Sequence, residues 1–155
     1  MNVRLIANTT SYVLWVEAGF LLLPLAASVL YGEAWLPFFG TVLLCVLLGT
    51  ALHLVPVKKA QMHSRDGFMA VALGWIALSL TGALPYVFTG ALTDYVDAVF
   101  ETVSGLTTTG STVFPEVEHL PRSILLWRSL TQWMGGMGVL VLFLALMPKL
   151  GDGAV

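Results

Sequence analysis

A polar segment between two long apolar stretches carries the residue types that could bind a cation. It runs from Asp97 to Thr112 with the sequence DAVFETVSGLTTTGST. Gly105, three consecutive threonines and Gly110 disfavour helix in its second half. Hydroxyl and carbonyl oxygens there could replace the water shell of a cation, as rings of carbonyls do in channel filters. The residues predicted to form this ion filter are Thr107, Thr108, Thr109 and Gly110.

The first half of the segment favours a short helix that would orient the filter. We expect this helix to run from Asp94 to Ser104, so that its partial negative end faces the threonines. Gly110 allows the positive φ that an inward-facing carbonyl requires. Backbone without regular hydrogen bonds is tolerated at membrane depth only where protein or a water-filled pathway covers it. The segment therefore predicts a re-entrant pore loop.

The composition independently indicates a membrane protein. Hydrophobic residues make up 57% of the chain and charged residues 10%, whereas about a quarter of the residues in soluble domains are charged. The 155 residues allow about four spans of roughly 20 residues each. The net charge of -2 and the scattered basic residues give no nucleic-acid footprint. The sequence also lacks a catalytic triad, a phosphate-binding glycine loop and paired catalytic carboxylates, so we do not expect an enzyme.

Four apolar stretches are predicted to cross the membrane as helices. They are Tyr12–Leu30, Trp35–Val55, Phe68 to about Val87, and Pro121 to about Met147. The fold class expected is an all-α membrane protein, with two accessory helices in residues 1–66 and a helix–pore loop–helix repeat in residues 67–155. A signal peptide is the alternative for the first stretch, but its length favours a retained span. The basic loop from Lys58 to Arg65 belongs in the cytoplasm by the positive-inside rule, which places the amino terminus inside as well.

Charged residues near the predicted pore loop have separate expected roles. Asp94 and Asp97 are predicted pore-mouth acids that raise the local cation concentration. Arg128 lies inside the last span, where a charge normally faces a partner or cavity. We predict that it pairs with Glu101 of the pore helix, the alternative being that it snorkels to the headgroups. Glu17 is a functional candidate within the first span, although its distance from Tyr12 predicts hydration near the cytoplasmic interface.

Glycines in the last span predict close contact between helices. Gly135, Gly136 and Gly138 are spaced so that a neighbouring backbone can approach, and a helix bend is the alternative. Cys45 lies alone in an apolar run and is expected to be a small hydrophobic residue rather than a ligand.

Three motifs resemble the Trk/Ktr/HKT superfamily of potassium transporters, and most closely its bacterial TrkH type. In chain order they are DGFMAVALGW, FETVSGLTTTGST and WRSLTQWMGGMG. The resemblance implies four pore-loop repeats around one pathway, of which this chain would be the amino-terminal part with the first repeat. It implies potassium as the substrate, bound at Thr108 and Thr109, with no other cofactor. A glycine at the position of Gly110 goes with potassium permeation, and a serine goes with sodium preference in plant members.

The resemblance also implies a location and partners. The location is the bacterial cytoplasmic membrane, with lipid as a partner. The protein partners would be the remaining three repeats or further copies, a second copy of the full protein in a homodimer, and a cytosolic nucleotide-binding regulatory subunit. Two functions stay open at this point. One is potassium uptake, by a symporter or channel-like pathway. The other is a non-conducting helical scaffold or assembly subunit.

Overall fold

The computed structural model describes residues 3–54 and 64–151, and it places the side chains of residues 4, 6–54 and 66–138. Within these residues the chain forms helices and no strands. The helices are α1 Val3–Leu30, α2 Leu36–His53, α3 Ser64–Gly82, α4 Leu84–Phe88, α5 Tyr95–Leu106 and α6 Arg122–Gly151. The all-α fold class is confirmed for this part of the chain. Residues 58–63 of the predicted cytoplasmic loop, with Lys58 and Lys59, lie outside the described residues, whereas its last two residues, Ser64 and Arg65, begin α3.

Three helical stretches in the described part are long and apolar enough to cross a membrane. They are Ile6–Leu30, Leu36–His53 and Asp66–Phe88. Helix α6 has 30 residues, which corresponds to a length of about 45 Å. That α6 crosses the membrane stays a prediction, because its side chains beyond residue 138 lie outside the described part.

Helix α1 is central to the packing, because α2, α3 and α6 all pack against it. It begins at Val3, well before the predicted start at Tyr12. Glu17 therefore lies deep within the helix, and its side chain is only 1% exposed. The expectation that Glu17 is hydrated near an interface was wrong, since it depended on a later start of the helix.

The third predicted span is interrupted close to its end. Helix α3 ends at Gly82, and the five-residue helix α4 begins at Leu84 with Pro85 in its first turn. Proline cannot donate a backbone hydrogen bond and its ring clashes with the carbonyl four residues earlier, so the helix breaks before it. The break lies in the core, where Ala83 and the neighbouring Tyr86 are fully buried. Helix α5 packs against α3, α4 and α6 around this point.

Candidate ion-filter segment

The predicted pore helix exists as α5, and Asp94 forms its amino-terminal cap. Asp94 has an extended backbone, and its side chain accepts a hydrogen bond of 2.8 Å from the backbone N–H of Val96. Asp97 follows in the first turn, where the positive end of the helix stabilises a carboxylate. Both acids are exposed. Helix capping accounts for both positions, and the pore-mouth role of these acids stays a prediction.

One face of α5 is buried against the rest of the chain. It contains Ala98, Glu101, Thr102 and Gly105, which follow the i, i+3, i+4, i+7 spacing of a helix stripe. A methyl group on Gly105 would overlap with the side chain of Thr131 on α6. Helices α5 and α6 are therefore in close contact along this face.

The carboxyl end of α5 is closed by a Schellman motif that leads directly into the predicted filter. The N–H of Thr108 donates to the carbonyl of Gly105 at 2.9 Å, and the N–H of Thr109 donates to that of Ser104 at 3.0 Å. Thr108 occupies the left-handed position of this motif with a φ of 57°. Glycine usually fills that position, because a β-branched side chain is strained there. Helix α5 thus ends at Leu106, two residues after the predicted end at Ser104. The left-handed residue that closes it is a threonine, Thr108.

The four predicted filter residues form an exposed turn after this helix end. The hydroxyl groups of Thr107 and Thr109 lie 2.8 Å apart. Gly110 has a φ of 78°, and a methyl group on its Cα would meet no atom within 4 Å. The backbone oxygens and hydroxyls of Thr107–Gly110 are consequently on one exposed turn.

After Gly110 the chain reverses and runs back along α5. The hydroxyl of Ser104 donates to the carbonyl of Ser111 at 2.6 Å. One turn earlier in α5, Glu101 Oε2 accepts hydrogen bonds from the hydroxyl of Thr112 at 2.8 Å and from the N–H of Val113 at 3.1 Å. Helix α5 therefore fixes the returning segment at successive residues.

The structure brings Glu101 and Arg128 together. Arg128 Nε lies 2.6 Å from Glu101 Oε1, and the two side chains are 17% and 3% exposed respectively. The guanidinium carbon of Arg128 also lies 5.5 Å from the centre of the Phe114 ring, within the range of a cation–π interaction. The carboxylate of Glu101 thus joins α5, the returning segment and α6.

The three glycines of α6 lie beside the end of α5, the turn that follows it, and α3. A methyl group on Gly135 would overlap with the backbone carbonyl of Leu106, the last residue of α5. The nearest atom to such a group on Gly136 would be a methyl carbon of Thr108, 3.8 Å away, and on Gly138 it would be a ring atom of Trp75, 3.5 Å away. Gly135 is therefore the glycine that permits the closest approach.

Sequence reasoning missed one carboxylate outside this segment. Glu33 lies in the turn between α1 and α2, and it accepts hydrogen bonds from the N–H groups of Arg122 and Ser123 at 2.7 and 2.9 Å. These are the first residues of α6, so Glu33 caps that helix from a distant part of the chain. Burial alone would raise the pKa of Glu33, but the bonds from Ser123 and Arg122 outweigh burial and lower it. The sequence contains no local signal for this contact.

Three helical stretches of membrane-spanning length and apolar composition are features of a helical membrane protein. The comparisons with known proteins agree with this class. The family model for TrkH cation transport proteins matches residues 37–155. The chain belongs to this TrkH cation transport family.

Named relatives match this chain over all or most of its length. It is 40% identical over 160 residues to the Trk system potassium uptake protein TrkH of Halomonas elongata, and 36% identical over 159 residues to that of Escherichia coli K12. Each match covers 100% of this chain and 33% of the relative. An uncharacterized cation transporter of Methanocaldococcus jannaschii is 40% identical over 136 residues, covering 87% of this chain and 28% of that protein. The chain thus spans about a third of the length of these relatives.

Proposed function

We propose that this chain supplies one of four filter segments of a potassium-uptake pathway across a bacterial cytoplasmic membrane. Potassium would lose part of its water shell at Thr107–Gly110 and bind mainly at Thr108 and Thr109. The other three segments would come from the remaining repeats of a longer chain or from further copies. Two relatives that match this chain are named potassium uptake proteins, which favours potassium as the ion.

The end of α5 is the observation that carries the proposal. Its last carbonyls bear partial negative charge, and the next residues form an exposed turn rich in oxygen atoms. Gly110, in the left-handed region, permits a backbone carbonyl orientation that other residues adopt at a cost. The hydrogen bonds of Ser104 and Glu101 to the returning segment would keep these oxygens in place.

The rest of the arrangement follows from this assignment. Residues 1–66 would form the accessory helices, and residues 67–155 would form the first repeat. Within that repeat, the pore loop would enter the membrane from the outside and return to it. The amino terminus would then lie in the cytoplasm. Asp94 and Asp97 at the start of α5 would face the outer mouth of the pathway. A second copy of the full protein and a cytosolic nucleotide-binding subunit remain the proposed protein partners, alongside lipid.

The proposed filter is tested by Gly110→Ser in the complete protein reconstituted in liposomes. Serine at a φ of 78° costs about 1–2 kcal/mol in backbone strain, which the turn can relieve only by moving its carbonyls. We expect the ratio of potassium flux to sodium flux to fall by about tenfold, equivalent to about 1.4 kcal/mol.

A matched control is available in the same chain. Gly90 has a φ of 74° and open space around its Cα, but it lies in the loop before α5. Gly90→Ser should impose similar strain and leave the ion ratio unchanged. An unchanged ratio in Gly110→Ser, or an equal change in both variants, would contradict the filter assignment. The absence of any potassium flux through the complete protein would favour a non-conducting scaffold.

A further inference from the structure

Glu17 is a buried carboxyl group that the proposed ion pathway does not use. It lies in the middle of α1 and is 1% exposed. Its Oε2 atom is 2.6 Å from the hydroxyl of Thr81 on α3 and 3.8 Å from the thiol sulfur of Cys45 on α2. Among the side chains that the structure places, the two ion pairs are formed by other acids, Glu101 and Glu116. Glu17 therefore has no basic partner within this part of the chain.

The hydrogen bonds around Thr81 indicate where a proton must be. The Thr81 hydroxyl lies 2.6 Å from Glu17 Oε2 and also 2.7 Å from the carbonyl oxygen of Ala77. A hydroxyl has one proton to donate, and an ionised carboxylate and a carbonyl are both acceptors only. With Glu17 ionised, one of these two short contacts would join two oxygens without a proton between them.

A neutral Glu17 supplies the missing proton, so that each of the two contacts of the Thr81 hydroxyl is a hydrogen bond. Its carboxyl O–H would donate to the Thr81 hydroxyl, and that hydroxyl would donate to the Ala77 carbonyl. A neutral acid also avoids the large cost of burying a charge without a partner. We infer that Glu17 binds a proton in the folded protein and holds it as the hydrogen-bond donor to Thr81. The site is a proton-binding site between α1 and α3, outside the predicted filter residues Thr107–Gly110.

The bound proton stabilises the point where α3 ends. Gly82 follows Thr81, and its carbonyl accepts a hydrogen bond of 2.9 Å from the indole N–H of Trp127 on α6. A methyl group on Gly82 would lie 2.9 Å from a methyl carbon of Thr102 on α5. Glu17 from one side and Trp127 from the other thus fix the residues against which the pore helix packs. Glu17 is a positioning residue.

Infrared difference spectroscopy tests the proton directly. The complete protein is measured in lipid nanodiscs at neutral pH, with and without ¹³C-labelled glutamate. The spectrum of the wild type minus that of Glu17→Gln should contain the C=O stretch of a protonated carboxylic acid, and the band should shift on labelling. The matched control is Glu118→Gln, an exposed acid, which should change only the bands of ionised carboxylates. A wild type without the protonated band would overturn the inference.

A second variant retains the proton but removes its acceptor. Thr81→Val preserves the side-chain shape and deletes the hydroxyl, so the carboxylic acid band should persist and move to higher frequency. Loss of that band, or no change in its position, would contradict a Glu17–Thr81 hydrogen bond.

Thermal unfolding gives an independent readout, because glutamine can replace a neutral acid but not a charge. Its amide N–H₂ can donate to Thr81 as the carboxyl O–H does. Glu17→Gln should therefore unfold close to the wild-type temperature, whereas Glu17→Ala should unfold clearly lower. Equal losses in the two variants would show that Glu17 is not neutral in the folded protein.

Discussion

Removing the charges of Glu101 and Arg128, singly and together, would measure how strongly the pore helix is coupled to α6. The variants are Glu101→Gln, Arg128→Gln and the double variant. Arg128 Nε lies 2.6 Å from Glu101 Oε1, and both side chains are mostly buried. Breaking such a pair from one side leaves the other charge buried without a partner.

The size of the effect follows from this burial. Removing one partner of a buried ion pair costs about 3–5 kcal/mol in the free energy of unfolding. We expect the lower end, about 3 kcal/mol for each single variant, because Arg128 is 17% exposed and glutamine at 101 can still accept from Val113. The double variant contains no unpaired charge, so it should cost about as much as one single variant. The resulting coupling energy would be about 2–3 kcal/mol.

The assay is reversible unfolding of the four proteins in one detergent, followed by intrinsic tryptophan fluorescence. A control cycle uses Glu116 and His119, whose side chains lie 3.4 Å apart but are 73% and 83% exposed. Exposed pairs contribute little, so that cycle should show almost no coupling. Additive losses for Glu101 and Arg128 would refute the reasoning, because they would mean that the two groups do not stabilise each other.

Three further predictions concern α5, α6 and the turn after α1. Gly135→Ala should destabilise the protein by about 3 kcal/mol, because the new methyl group overlaps with a backbone carbonyl at the end of α5, whereas Gly136→Ala should change the unfolding free energy little. Thr108→Gly should raise the unfolding free energy by about 1 kcal/mol, because it relieves the strain of a threonine at a φ of 57°. Thr109 does not have a left-handed backbone, so Thr109→Gly should lower the unfolding free energy. Burial raises the pKa of Glu33, but the hydrogen bonds to this carboxylate outweigh burial and lower it. The contribution of Glu33 to the free energy of unfolding should therefore be present above the unfolded pKa of about 4.5 and be lost as pH falls through the folded pKa. Unfolding temperatures of the wild type and Glu33→Gln should therefore converge in acid, and a constant gap would contradict this linkage.

The short helix α5 could be predicted from sequence because its signals are local. Asp94 is a strong capping residue type, the apolar and small residues after it follow helix spacing, and glycine with threonines ends the pattern. The ion pair of Glu101 with Arg128 could also be inferred, since a charge inside an apolar span requires a partner. Glu116 and Glu118, the acids that come just before that span in the sequence, are exposed.

Other features depend on contacts that no local pattern contains. Glu33 and Ser123 are 90 residues apart, and the packing of α1 beside α6 brings them together. The depth of Glu17 depended on the start of α1, and helix ends are poorly specified when polar residues such as those before Tyr12 still have adequate helix propensity.

Thr108 shows how the geometry of the proposed filter follows from residues outside Thr107–Gly110. A threonine keeps a left-handed backbone only where several contacts of the surrounding structure hold it in that conformation. Here two Schellman hydrogen bonds fix it from the helix side, and Ser104 and Glu101 fix the returning segment. Glu101 is in turn held by Arg128, and the approach of α6 that places Arg128 requires a glycine at 135. A change on α6 should therefore alter the conformation of Thr108 without contacting it, so Arg128→Gln should affect ion selectivity as well as stability.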